Sequence, residues 1–125
     1  MKRSLSALTN IITALAIAAA VGTVLMAHAK LEKTEPANGA TLTAPPPHVQ
    51  LWFNEKLDAA VSKIDVTGPS GKIETGPAHS MEPKTLMVMF KADIPDGKYT
   101  VNWQTAGDDG HAQKGEFGFT VKRAH

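Results

Sequence analysis

The chain has 125 residues, 13 basic against 12 acidic, and no cysteine. Disulfides, thiolate metal sites and cysteine nucleophiles are therefore excluded. The near-neutral balance also leaves no basic surplus for holding nucleic acid or anionic lipid.

At the N-terminus, Lys2 and Arg3 are followed by a stretch from Ser4 to Ala27 with no charged residue. Its centre is apolar (Ile11, Ile12, Leu15, Ile17, Val21), and small residues follow at Ala27 and Ala29. Basic, then apolar, then small is the order of a secretory signal peptide, predicted over residues 1–27. The rival reading is an uncleaved anchor, because the uncharged stretch approaches the roughly 20 residues that span a bilayer. Two cleavage points compete. Ala27-His28-Ala29 fits the A-x-A rule and would start the mature chain at Lys30. A cut after Ala27 would leave His28 first, with the bulkier Leu25 three residues before the bond, and spacing alone favours Lys30. The longer product, residues 28–125, has 98 residues, 11 basic and 12 acidic. That is enough for a single domain, with no membrane insertion once the leader is gone.

Beyond the leader the apolar residues recur with period two, the mark of half-buried strands. Val49, Leu51 and Phe53 alternate with Gln50, Trp52 and Asn54, and Ile64 and Val66 with Lys63 and Asp65. Leu86, Val88 and Phe90 share one face, with Met87 and Met89 on the other. Tyr99, Val101 and Trp103 form the next set, and Phe117, Phe119 and Val121 the last. Turn signals separate them: Pro36-Ala-Asn-Gly39, Pro45-Pro-Pro47, Gly68-Pro-Ser-Gly71, Gly76-Pro77, Pro95-Asp-Gly97 and Asp109-Gly110. Proline presets φ at such places and glycine supplies φ > 0. With short strands near Leu31 and Ile73, about seven are expected in one all-β domain, a Greek-key sandwich or barrel. Tyr99, at the start of a late strand just after a turn, also has the setting of a tyrosine corner.

Five histidines follow the predicted leader: His28, His48, His79, His111 and His125. Asp109-Gly110-His111 lies in the Gly- and Asp-rich stretch Gly107-Asp-Asp-Gly-His111, between two well-patterned strands, where functional side chains are commonly displayed. A carboxylate and an imidazole two residues apart, hinged on glycine, can turn toward one point; the same residues can also form a plain turn. If His28 is the first residue, its α-amine and imidazole together chelate a metal in a closed ring. With reference pKa values of about 7.7–8.0 and about 6.5, both nitrogens can lose their protons to a divalent metal near neutral pH. Adding Asp109 and His111 gives a three-nitrogen, one-oxygen set that suits tetragonal Cu(II), with Zn(II) as the rival.

At this point the sequence resembles the CopC family of periplasmic copper-resistance proteins. The resemblance rests on His28-Ala-Lys-Leu31, Pro36-Ala-Asn-Gly39, Leu51-Trp-Phe-Asn-Glu55, Pro83-Lys-Thr-Leu86, Gly97-Lys-Tyr-Thr-Val-Asn-Trp103, Asp109-Gly-His111 and Gly115-Glu-Phe-Gly-Phe-Thr-Val121. It implies an immunoglobulin-like, cupredoxin-like sandwich over residues 28–125, in the periplasm. It also implies one Cu(II) per chain, held by His28, Asp109 and His111, and so favours cleavage after Ala27. The implied role is a monomeric copper carrier or buffer that binds a copper ion and serves an inner-membrane copper-transport protein. Some members of the family hold Cu(I) in a Met-rich loop. Here the corresponding Pro77-Ala-His79-Ser-Met81 has one methionine and one histidine, so no true Cu(I) site is expected.

Met87 and Met89 are expected as packing residues, Trp103 as core, and His48 and His125 as exposed and inert. Glu55, at a recurrent acidic position, is expected either to support the ligands or to be a solvated strand-end carboxylate. Two other functions are compatible with the sequence. One is a copper-dependent oxidative enzyme with a histidine-brace site, against which the anionic donor Asp109 counts by stabilising Cu(II). The other is a metal-free structural module of the envelope.

Overall fold

The computed structural model describes residues 29–107 and 109–124; the leader, His28, Asp108 and His125 lie outside the described residues. Eight strands follow in chain order: β1 (Leu31–Glu35), β2 (Thr41–Leu42), β3 (His48–Phe53), β4 (Lys63–Gly68), β5 (Gly71–Ile73), β6 (Thr85–Met89), β7 (Gly97–Ala106) and β8 (Ala112–Val121). A 3₁₀ turn, Ala59–Val61, sits between β3 and β4, started by the Asp58 carboxylate accepting from the Ala60 amide. The strands form a three-stranded sheet in the order β1-β3-β6 and a five-stranded sheet in the order β2-β8-β7-β4-β5. The chain passes back and forth between the layers, which is the Greek-key sandwich expected from the alternation.

Alternate residues face inward, as the period-two pattern requires. Val49, Leu51 and Phe53 of β3 meet Leu86 and Val88 of β6 on one side of the core. Ile64, Val66, Tyr99, Val101, Trp103, Phe117, Phe119 and Val121 face them from the larger sheet. Two aromatic contacts anchor the layers. Phe53 meets Trp103 edge-on across the sheets, at 5.3 Å between centroids and 76° between planes. Tyr99 stacks on its cross-strand partner Phe119 at 5.2 Å and 11°. Each such pair adds about 0.5–1.5 kcal/mol beyond burial. The Tyr99 hydroxyl donates to the carbonyl of Pro95, four residues upstream, completing the tyrosine corner. Beside it, Arg123 bonds both the Asp96 carboxylate and the carbonyl of Ile94, at 2.7 Å for the latter.

The count differs from seven because of β2, two residues lying parallel to β8. A two-residue strand has too little length to show alternation. β7 and β8 are also longer than their apolar patterns, pairing without a break from Gly97↔Val121 to Ala106↔Ala112. The added rungs use small or polar residues, such as Thr105 and Ala106, which bury little apolar area and leave no hydrophobic signal. Thr105 is nonetheless buried, with its hydroxyl 2.7 Å from that of Ser62.

Candidate metal centre

The long β7–β8 ladder fixes the place of the loop at its end, Gly107 to His111. The Gly110 amide donates to the Gly107 carbonyl at 3.0 Å, closing a turn in which Gly110 takes φ +78°. Such a φ belongs to the left-handed region that glycine enters without steric cost. Asp109 Oδ1 accepts from the His111 amide at 3.0 Å, and Oδ2 lies 3.2 Å from His111 Nδ1. The carboxylate and imidazole of the D-x-H motif therefore face each other, with side chains 31% and 46% exposed. Two of the three expected ligands are brought together in a wet, accessible position.

A second wall comes from the segment after β3. Leu57 bridges Gly107, and the Asp58 amide donates to the Ala106 carbonyl at 3.0 Å. Glu55 is thereby carried against the loop. A Cβ on Gly107 would overlap Glu55 Oε1 and stand 3.5 Å from Asp109 Oδ1. Two carboxylates thus converge on the bare α-carbon of Gly107, a local concentration of negative charge that attracts a cation. Glu55 is half-buried against Gly107.

The third wall is the start of the described chain. Ala29 is only 4% exposed and packs with the core. The Lys30 amide donates to Asn54 Oδ1 at 2.7 Å, and the Asn54 amide donates back to the Lys30 carbonyl at 3.0 Å. This clasp holds the chain beside Glu55. Nothing in the hydropathy pattern marks Asn54 for it; its place next to Glu55 in the Leu51–Glu55 stretch was the available signal. His28, the remaining expected ligand, lies outside the described residues. Among the described residues no group of three or more His, Cys, Asp or Glu could hold a metal ion.

The other histidines are elsewhere. His48 stands on the outer face of β3, half-buried and opposite Met89. His79 pairs with Met87 along the free side of β6. Met87 and Met89 do not pack in the core: both face outward, and Met89 is 43% exposed. The inward positions of β6 are taken by Leu86 and Val88, so period two puts both methionines on the outer face, Met87 half-buried and Met89 exposed. His125 lies outside the described residues.

Comparison with known proteins agrees with this architecture. Residues 31–122 match the CopC domain family. Protein YobA of Escherichia coli K12 is 37% identical over 99 residues, covering 77% of this chain and 80% of that protein. Copper resistance protein C of Escherichia coli is 31% identical over 106 residues, covering 78% and 83%. Among solved structures, CopC from Methylosinus trichosporium OB3b superposes with a TM-score of 0.72 at 26% identity, covering 78% of this chain and 97% of that one. With the family matched across all eight strands, the chain belongs to the CopC domain family.

Proposed function

We propose that this protein is a periplasmic Cu(II) carrier whose single Cu(II) site is formed by the mature N-terminal histidine and the Asp109–His111 loop. Membership of the CopC family makes it a copper-binding carrier rather than an enzyme, so the oxidative and metal-free alternatives fall away. The finer reading rests on one observation. The Lys30–Asn54 clasp, Glu55 against Gly107, and the facing Asp109 and His111 all lie at the same end of the sandwich. A residue joined to Ala29 begins about 3.8 Å from a buried, fixed α-carbon. Cleavage of residues 1–27 gives His28 a free amine at that end.

The chain's own groups then divide the work. The His28 amine and imidazole supply two nitrogens in one chelate ring, and His111 a third. Asp109 supplies the anionic oxygen that favours the divalent over the monovalent ion, in a donor set that suits tetragonal Cu(II). Glu55 adds negative charge beside Gly107 at the rim. Because Asp109 and His111 are accessible, the ion can pass to another protein without unfolding the carrier. We assign that acceptor to the inner membrane and read the carrier as a monomer.

The test is mass spectrometry of the exported protein, followed by Cu(II) titration read by electron paramagnetic resonance. A mature chain starting at His28 with a single tetragonal, nitrogen-rich signal is expected. A chain starting at Lys30, or a signal unchanged by blocking the α-amine, would sink this reading.

A further inference from the structure

Asparagine or aspartate stands directly before glycine at Asn38-Gly39, Asp96-Gly97 and Asp109-Gly110. Such a pair can react with itself, because glycine has no side chain to keep its amide nitrogen away from the neighbouring side-chain carbonyl carbon. The fold treats these pairs differently.

At the first, the Gly118 amide donates to Asn38 Oδ1 at 3.1 Å, and the Gly39 amide donates to the Gly118 carbonyl at 2.7 Å. Both reacting groups are thus tied to β8. At the second, the Arg123 amide lies 3.2 Å from each oxygen of Asp96, and the guanidinium bonds the same carboxylate. Gly97 is the first rung of β7, paired with Val121, with Pro69 packed against its α-carbon. Asp109 is drawn the other way. Its Oδ1 accepts from the His111 amide at 3.0 Å, an Asx turn. That bond closes a ring that contains the Gly110 nitrogen, so the carboxyl group is folded back over the Gly110 peptide. His111 Nδ1, 3.2 Å from Oδ2, holds the second oxygen on the same side. Gly110 is exposed, and a Cβ there would meet no described atom within 4 Å, which leaves room for a new ring and for water. The Gly110 amide must first leave the Gly107 carbonyl. That bond lies inside one loop turn, and such turns open at lower cost than strand rungs do.

We infer that Asp109-Gly110 is a self-modification site, where the native, metal-free protein converts aspartate to isoaspartate while the fold keeps Asn38 and Asp96 intact. The Gly110 nitrogen bonds to Cγ of the protonated carboxyl group. The Cγ–OH bond breaks, and the hydroxyl leaves with the amide proton as water. Solvent water then opens the cyclic imide. Cleavage of the bond from nitrogen to Cγ restores aspartate; cleavage of the bond from nitrogen to the main-chain carbonyl carbon gives isoaspartate. No electron is transferred, and the mass is unchanged. The main chain now runs through the former side chain, one carbon longer, and the Asx turn to His111 is lost. The reaction itself does not depend on copper. Its consequence rests on the proposed Cu(II) reading: a chain modified here no longer presents its carboxylate beside His111.

The experiment is incubation of the mature, metal-free protein at neutral pH, well below its melting midpoint. Proteolysis and electron-transfer fragmentation then tell the two isomers apart residue by residue. Isoaspartate should accumulate at position 109, while Asp96 and Asn38 change at least about tenfold more slowly, since reaction there awaits a local opening. In denaturant the ranking should invert, with Asn38 first, because a neutral amide needs no protonation to react. Folded protein with no isoaspartate at 109, or with none formed faster than at Asp96 or than deamidation at Asn38, would overturn the site and leave the Cu(II) reading standing. The modified fraction, separated by chromatography, should lose the Cu(II) signal. If it keeps that signal, Asp109 is not a copper ligand, and the modification site stands.

Discussion

β7 begins and ends in opposite kinds of structure. At its first residues the chain is locked by bonds that reach far along the sequence. Arg123 is tied to Asp96 and Ile94, and the Tyr99 hydroxyl is set on Pro95 over a stacked Phe119. At its last residues, Asp109 and His111 meet each other two positions apart in an exposed loop, flanked by carboxylates and glycine. One ten-residue strand connects the two. Tyr99, buried and held by a fixed partner, gives rigidity at the first end, whereas the locally held donors of the loop can exchange neighbours for an ion. Stability and binding therefore lie at separate ends and should respond to different mutations.

The largest separation is expected from His111→Ala. Copper at a hundredfold excess over its Kd should stabilise the native protein by about 2.7 kcal/mol. The variant should lose most of that increment while the metal-free protein stays within about 0.5 kcal/mol of wild type, as exposed positions do. Parallel denaturant melts with and without Cu(II) measure both. Tyr99→Phe should do the converse, costing roughly 1–3 kcal/mol by orphaning the Pro95 carbonyl, with the Cu(II) spectrum unaltered.

A gentler probe of the same corner is pH. Burial raises the Tyr99 phenol above its usual value of about 10, with Arg123 opposing and Asp96 reinforcing the shift. The unfolded chain thus gives up this proton before the native one does. The contribution of Tyr99 is complete below pH about 10 and is lost as pH rises through the higher native value. Alkaline titration of the unfolding midpoint should show that loss in wild type and not in Tyr99→Phe. The smallest effect should come from Met81→Leu, which ought to leave Cu(II) binding and stability alike unchanged.

Much of this comparison is visible in the sequence, but unevenly. Val49, Leu51, Phe53, Leu86 and Val88 declare their faces because burying alternate apolar residues is what sets strand register. Tyr99 declares its corner because the turn before it is spelled out by Pro95-Asp-Gly97. Asp109 and His111 stand out because a carboxylate and an imidazole share a glycine loop. What period two cannot show is which residues meet across the molecule. Asn54 looks like any polar strand end, and its bond to Lys30 spans 24 residues. Glu55 meets Gly107 because Leu57 bridges it, a contact made by backbone rather than by side-chain pattern. Met87 and Met89 lie on the face opposite Leu86 and Val88, as the alternation requires, but methionine fits both a core and a surface, so its type does not say how deeply each is covered. Cross-strand register with His48 and His79 is a property of the fold alone.

The Lys30–Asn54 clasp has a consequence for manufacture. It turns the chain start into a ruler with its zero mark inside the protein. Each residue added or removed ahead of Ala29 moves the terminal amine by about 3.3–3.6 Å along an extended chain, whereas metal–ligand distances tolerate about 0.2 Å. On the proposed reading, a chain trimmed to start at Lys30 still folds, because it loses only Ala29 from the core cluster and keeps both partners of the clasp. It is then a soluble, stable protein with no grip on Cu(II). Accuracy of processing is thereby converted into an all-or-none difference in cargo, and proteolysis sets the active fraction without any need to unfold the rest.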